Sequence, residues 1–466
     1  MKEIPNKFSF IKLLGFGLCI WFLGLVGVRG YAHTSLESSP FFLEVPVLDL
    51  PYQIDAAETT GNFFSGYGNP SMAQSLTLSN NLYLVAHWGL KELIQPNRST
   101  LRFFIGYSAI LAFDFLSLYV PLGTSWLHEE YHRAVLTRRR IQSANEANTF
   151  PFGKDVVAVY DIKDEDLIRL SDEYNADFRR LMSAGIEGQY HQIQSLQSYN
   201  FFYNQELPHV PLYWIITLNS ILYVTDSSTD AFDSLVDKMN AQEDEIRKRD
   251  FTGPDFTAWV HALFYPDEPY TNRGTHPSGI GINRYIKPSQ LTSQEKEYLK
   301  KQGQLQWLNL LSPHLFGVSR VKLGSSDRGP SYGNFAVRHV LTPFGSDISL
   351  DLFYKNTGIN LLLTVHTYQN QSHIFWGVES WLWDFPLMHS SFRLTIRGAL
   401  WTQPKELSFY SSTGIWGGLL GVRVWRRQGL IAPYAEIEGK TQGWVMGSIF
   451  LEEQVSFRMG IYIFPL

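Results

Sequence analysis

The sequence predicts an α+β fold, a mainly helical domain followed by an antiparallel β-barrel of about 8–10 strands. Three observations predict it. Helix-prone and apolar stretches fill the chain up to Pro313. Beyond Pro313, helical periodicity gives way to two-residue alternation broken by turn-rich pieces such as KNTG, YQNQS and RRQG. Aromatic content is high, 15% with 32 Phe, 24 Tyr and 13 Trp, a level common in membrane-facing barrels. A chain of 466 residues, 44% hydrophobic, is long enough for two cores. The formal net charge of −5 supplies no basic field for a phosphate backbone, which argues against nucleic acid as a partner.

Residues 1–32 read as a secretory signal. Lys2, Lys7 and Lys12 precede the apolar run LLGFGLCIWFLGLVGV, and small residues follow, with Ala32 as the expected last residue. The alternative is an uncleaved anchor, since the run is long enough for a tilted span. Cys19, the only cysteine, lies inside the run, so a chain cut at Ala32 has no cysteine and is exported without disulfides.

The helical domain is expected over 33–313. SSPFFLEVPVLDLPYQ reads as extended, ETTGNFFSGYGNPS as loop, and a helix is expected from 81 to 93. Residues 101–123 are almost wholly apolar, with Asp114 the one acidic residue. By length they fit a buried core helix, a membrane-associated wall or a span. If the C-terminal part is a barrel, this helix is expected to be buried in protein and Asp114 to need a partner. Residues 161–200 are helix-prone apart from Gly185 and Gly188, and 210–225 form an apolar stretch whose Asn219 and Ser220 favour a buried helix. Pro, Gly and Asn crowd 266–288, an irregular loop and a candidate lid. Thr292 and Glu295 form a capping-box pattern that starts another helix.

From 314 to 466 the alternation is clearest in SSFRLTIRGALW. There Phe392, Leu394, Ile396 and Leu400 face one way and Arg393, Thr395 and Arg397 the other. GVRVWRRQ, IAPYAEIEGK and VSFRMGIYIF repeat it, with Arg423, Glu436, Glu438 and Arg458 on the polar side. Alternation alone leaves two arrangements open: a soluble sheet with the apolar face inside, or a transmembrane barrel with that face in lipid and the charges paired in the lumen. The export signal, the aromatic crowding and a terminal strand favour the membrane. The tail FRMGIYIFPL resembles the closing strand of bacterial outer-membrane barrels, which usually ends in an aromatic residue; here Phe464 is followed by Pro465 and Leu466.

One motif carries chemistry. In TSWLHEEYHRAVLTRRR, His128 and His132 stand one helical turn apart and project from one face, with Glu129 beside the first. The bland reading is an amphipathic helix end with solvated histidines. The pattern HEEYH resembles the HExxH zinc-metallopeptidase superfamily. That resemblance implies Zn2+ held by His128 and His132, Glu129 as general base, and a peptide or protein as substrate. In the branch that uses glutamate, the third ligand comes from a later helix, which points to Glu187 in LMSAGIEGQYHQ, with Gly185 and Gly188 allowing close approach of another backbone. Some families of that branch place an aspartate four residues after the glutamate; this chain has His191 there, a rival third ligand or a group that stabilises an oxyanion. Asp177 and Glu173 are weaker rivals as ligands, and Tyr190 or His261 as oxyanion donors.

The sequence therefore predicts an exported, envelope-associated zinc peptidase whose C-terminal barrel sits in or on the outer membrane. Two alternatives stand beside it: a non-enzymatic outer-membrane structural protein or receptor, and an inner-membrane intramembrane metalloprotease.

Overall fold

The computed structural model describes residues 41–61, 68–95, 98–149, 157–203, 209–242, 245–326, 329–387 and 392–464. The expected export signal and the last two residues lie outside this set. Among the described residues the chain is α+β, with ten α-helices and one ten-stranded antiparallel sheet. The helices are α1 (Tyr52–Thr60), α2 (Met72–Ile94), α3 (Thr100–Leu116), α4 (Thr124–Arg138), α5 (Asp164–Glu173), α6 (Asn175–Tyr203), α7 (Val210–Asp226), α8 (Asp233–Gln242), α9 (Asp255–Phe264) and α10 (Ser293–Leu305). Strand β1 is Leu43–Leu50; β2 to β10 are Val321–Ser326, Gly329–Thr342, Gly345–Lys355, Asn360–Gln369, Ile374–Pro386, Phe392–Pro404, Gly414–Arg426, Ile431–Lys440 and Gln454–Ile463.

Local chemistry sets several of these boundaries. Thr292 and Glu295 make the expected capping box at the start of α10. Helix α2 begins at Met72, well before the expected 81, because Ser71 and Gln74 form a second capping box there. The stretch 161–200 divides into α5 and α6 at Tyr174, whose backbone leaves the helical region.

Strands β2 to β10 form a meander in chain order, and β1 joins the far side of β10. The N-terminal extended segment is thus part of the sheet, with Leu43 opposite Ile463 and Asp49 opposite Arg458. Strands β1 and β2 stand at the two ends of the order, and no pairing between them is present among the described residues. Side chains from every strand except β2 line one chamber, so the sheet curls round it, with α6 along the inside.

The alternation read from sequence matches the two faces of this sheet. Leu400, Leu420, Ile437, Val455 and Phe457 are exposed on the outside. Inside, Arg423 bonds Glu436 at 2.6 Å and Glu44 at 3.0 Å, Arg397 bonds Glu379 at 2.9 Å and Glu438 at 3.2 Å, and Arg458 bonds Glu436 at 2.5 Å. Register explains the pairing: Arg423, Glu436 and Arg458 are direct neighbours across β8, β9 and β10. Helical and sheet parts share one hydrophobic core, in which Leu127, Leu181 and Trp259 belong to the same cluster as Val340, Trp401 and Trp444.

Helix α3 departs from expectation. Its inner side is buried at Gly106, Tyr107, Ile110 and Asp114, but Leu101, Ile105 and Leu116 are exposed, so it is not enclosed in protein. It is also shorter than the apolar stretch suggests, because the chain turns after Leu116 to enter α4. Asp114 has the partner it needs, His87 Nε2 at 2.7 Å. None of the described helices is long and apolar enough to cross a membrane.

Candidate metal centre

The motif lies on α4, a helix buried over nearly its whole length. Glu130 orients it, bonding Arg133 at 2.6 Å and accepting from Asn145 at 2.8 Å. Helix α6 crosses closely behind it. A β-carbon at Gly185 would lie 2.2 Å from His128 Nε2, and one at Gly188 2.8 Å from the Tyr131 ring, so both glycines are needed where the helices meet.

His128 and His132 do share one face, their ring centroids 4.8 Å apart. His132 donates its Nδ1 hydrogen to the Leu181 carbonyl, which fixes the tautomer and leaves Nε2 as a lone-pair nitrogen. That Nε2 is buried and has no hydrogen-bond partner. The third group is Asp255, at the first position of α9. Its Oδ2 lies 3.3 Å from His128 Nε2 and 3.6 Å from His132 Nε2. Ligands about 2.0–2.1 Å from a tetrahedral ion are roughly 3.4 Å apart, which these two separations match, and all three donor atoms lie within 4.8 Å of one another. Tyr223 holds the carboxylate: its hydroxyl donates to Oδ2 at 3.1 Å and accepts the Asp255 backbone N–H at 3.1 Å. A helix N-terminus also favours the carboxylate charge.

Electrostatics point the same way. Burial pushes Asp255 up, but His132 and His128 outweigh it and hold its carboxyl well below the usual range. Burial pulls the His128 imidazole down despite Asp255. Glu129 is pushed well up by burial and then by the negative charges of Asp255, Asp250 and Glu130. Asp250 is pushed up by burial and Asp255. Two imidazoles, one with an orphaned nitrogen, and the buried Asp255 carboxylate form a donor set that suits a divalent cation.

Glu187 is not part of this cluster. Arg180 holds its Oε1 at 2.7 Å and its Oε2 at 3.2 Å, Trp444 Nε1 donates to Oε2 at 3.1 Å, and the Gly447 N–H donates to Oε1 at 2.8 Å. The reason is helical phase. Gly185 faces His128, and a residue two positions on is about 200° round the helix, towards the β9–β10 connection. His191 shares that direction; its Nδ1 meets the Tyr131 hydroxyl at 2.9 Å and its ring lines the chamber inside the sheet. Burial drops its imidazole to about 3, with Arg397 next in effect, so it is a neutral group away from the histidine pair. Asp177 is paired with Arg139, and Glu173 is exposed. Tyr190 bonds Gln306, and His261 lies between Glu295 and Glu268, both at 2.9 Å.

Sequence reasoning missed Asp255 and Tyr223. The signal for Asp255 was a carboxylate directly after Gly253 and Pro254 at a helix start. A scan against known protein families, a search of curated proteins and a search of solved structures each return no match to this chain.

Proposed function

We propose that the protein is an envelope-associated, zinc-dependent peptidase whose helical part holds the metal and whose curled sheet is a barrel seated in a membrane. The observation that carries the catalytic half is the meeting of the buried His128, His132 and Asp255, whose donor atoms all lie within 4.8 Å of one another. The outward apolar and inward charged faces of the sheet support the anchoring half.

When bound, the ion supplies Lewis acidity and a water acidified towards neutral pH. The remaining chemistry belongs to the chain. His128, His132 and Asp255 hold the ion, and Leu181 and Tyr223 hold two of those ligands in place. Glu129 takes a proton from the attacking water and passes it to the leaving amine.

A second reading, a structural ion in a non-enzymatic outer-membrane protein, is favoured by the burial of Glu129, which is only 7% exposed. The test uses the purified full chain, its zinc content by elemental analysis, and hydrolysis of a denatured protein substrate. The peptidase reading expects one zinc per chain, lost in His132→Ala, and a Glu129→Gln variant that keeps zinc and loses hydrolysis. Zinc bound with no hydrolysis in the parent chain would favour the structural ion; no stoichiometric zinc would end both readings.

A further inference from the structure

Strand β1 ends the sheet, and helix α2 covers its free edge. Asn81 on α2 reproduces a strand's pairing there: its Nδ2 donates to the Glu44 carbonyl at 2.6 Å and its Oδ1 accepts the Glu44 N–H at 3.3 Å. Phe41 stacks on Trp88 of α2 with ring centroids 5.2 Å apart and planes 13° from parallel. Helix α3 then packs on α2 through Tyr83 against Phe113 and the His87–Asp114 bond.

The far side of this helix pair is mostly apolar, with Glu92 the exposed acidic residue at the end of α2, unlike the polar face that a helix bordering water carries. On α3, Leu101 is 69% and Leu116 63% exposed, with Ile105, Ser108 and Ala112 between them along the same side. The only charged residues of α3 are Arg102 in the first turn and the inward Asp114. On α2, Val85, Trp88 and Leu93 are exposed, Leu93 by 80%. Exposed apolar residues also mark the neighbouring strands, Val47 on β1 and Val455 and Phe457 on β10. Lys91, Arg98 and Arg102 cluster near the α2–α3 connection, at one end of the apolar face, as cations do at head-group level.

We propose that α2 and α3 extend the membrane-facing wall past β1, with lipid acyl chains covering their apolar face. This rests on the reading of the sheet as lipid-facing. A bare strand edge in hydrocarbon leaves backbone N–H and C=O groups unpaired, and α2 with its Asn81 contact removes part of that cost. Helix α3, about 26 Å long at 1.5 Å per residue, does not need to span the roughly 30 Å core to do this.

The test uses the full chain in a Cys19→Ser background, reconstituted in vesicles of phosphatidylcholine and phosphatidylglycerol. Single substitutions Ile105→Cys and Leu116→Cys on α3, Leu420→Cys and Val455→Cys on the sheet, and Asp237→Cys as a water reference carry an environment-sensitive fluorophore. Quenching by doxyl-labelled lipid is compared with quenching by aqueous iodide. The inference expects the α3 and sheet labels to be quenched at least threefold more by lipid than the Asp237→Cys label, and less by iodide. Lipid quenching of the sheet labels with iodide quenching of the α3 labels would overturn the inference and leave the barrel standing. Protection of the α3 labels from both quenchers would assign the face to a second copy of the chain and overturn it as well. Iodide quenching of all four labels would overturn the lipid-facing sheet together with this inference.

Discussion

Gly185 faces His128 so closely that a β-carbon at position 185 would stand 2.2 Å from the imidazole Nε2. The absence of a side chain on α6 is what allows the first motif histidine its position. Gly185→Ala is expected to displace the ring, lower zinc affinity at least tenfold and destabilise the fold by about 1–3 kcal/mol, as overpacking does. Zinc titration and thermal unfolding of the same preparation check both effects.

Asp255 and Glu187 make opposite predictions for the two carboxylates. Asp255→Asn is expected to remove stoichiometric zinc while the fold survives, since Tyr223 still has an oxygen to bond. Glu187→Gln is expected to leave zinc in the folded fraction and to lower stability by about 3–5 kcal/mol, because Arg180 is left buried without a charged partner. Metal content and unfolding temperature, measured on both variants, separate the roles.

Tyr223 holds the Asp255 carboxylate that would bind the proposed ion. Loss of its hydroxyl in Tyr223→Phe is expected to weaken zinc binding about 10–100-fold, the usual effect of removing a group that orients a ligand. Competition with a chromophoric chelator reads this directly. The phenyl ring keeps its packing against Phe256, so unfolding temperature without zinc is expected to stay close to that of the parent.

Acid sensitivity is expected at the start of α10. Burial raises Glu295, but bonds from His261 and Thr292 outweigh it and hold the carboxyl below its ordinary value. The unfolded chain then binds the proton more readily than the folded one. Stability from this group is fully present above the ordinary carboxylate value of about 4.3 and is lost as pH falls through the lowered folded value. Glu295→Gln is expected to flatten the decline of unfolding temperature between roughly pH 5 and 3.

Much of the sheet was legible because a period of two assigns each side chain to a face. Arg423, Glu436 and Arg458 could be placed together from alternation alone, and register then made them neighbours. The histidine pair was equally legible, since four residues of helix bring two side chains to one face. The meeting of that pair with Asp255 was not, because it depends on how α9 and α6 pack around α4. Glu187 had a plausible spacing and the wrong helical phase, which only the contact of Gly185 with His128 reveals. The exposed side of α3 was hidden for a related reason. An apolar sequence states what a helix avoids, without stating which neighbour covers it.

The central claim is that His128, His132 and Asp255 bind one ion. Anomalous diffraction at the zinc edge from crystals of the full chain tests it most directly. The account predicts a single strong peak about 2.0–2.2 Å from His128 Nε2, His132 Nε2 and an Asp255 oxygen. No peak between the two histidines in zinc-loaded crystals, or a peak bound to them and to Glu187 in place of Asp255, would contradict it.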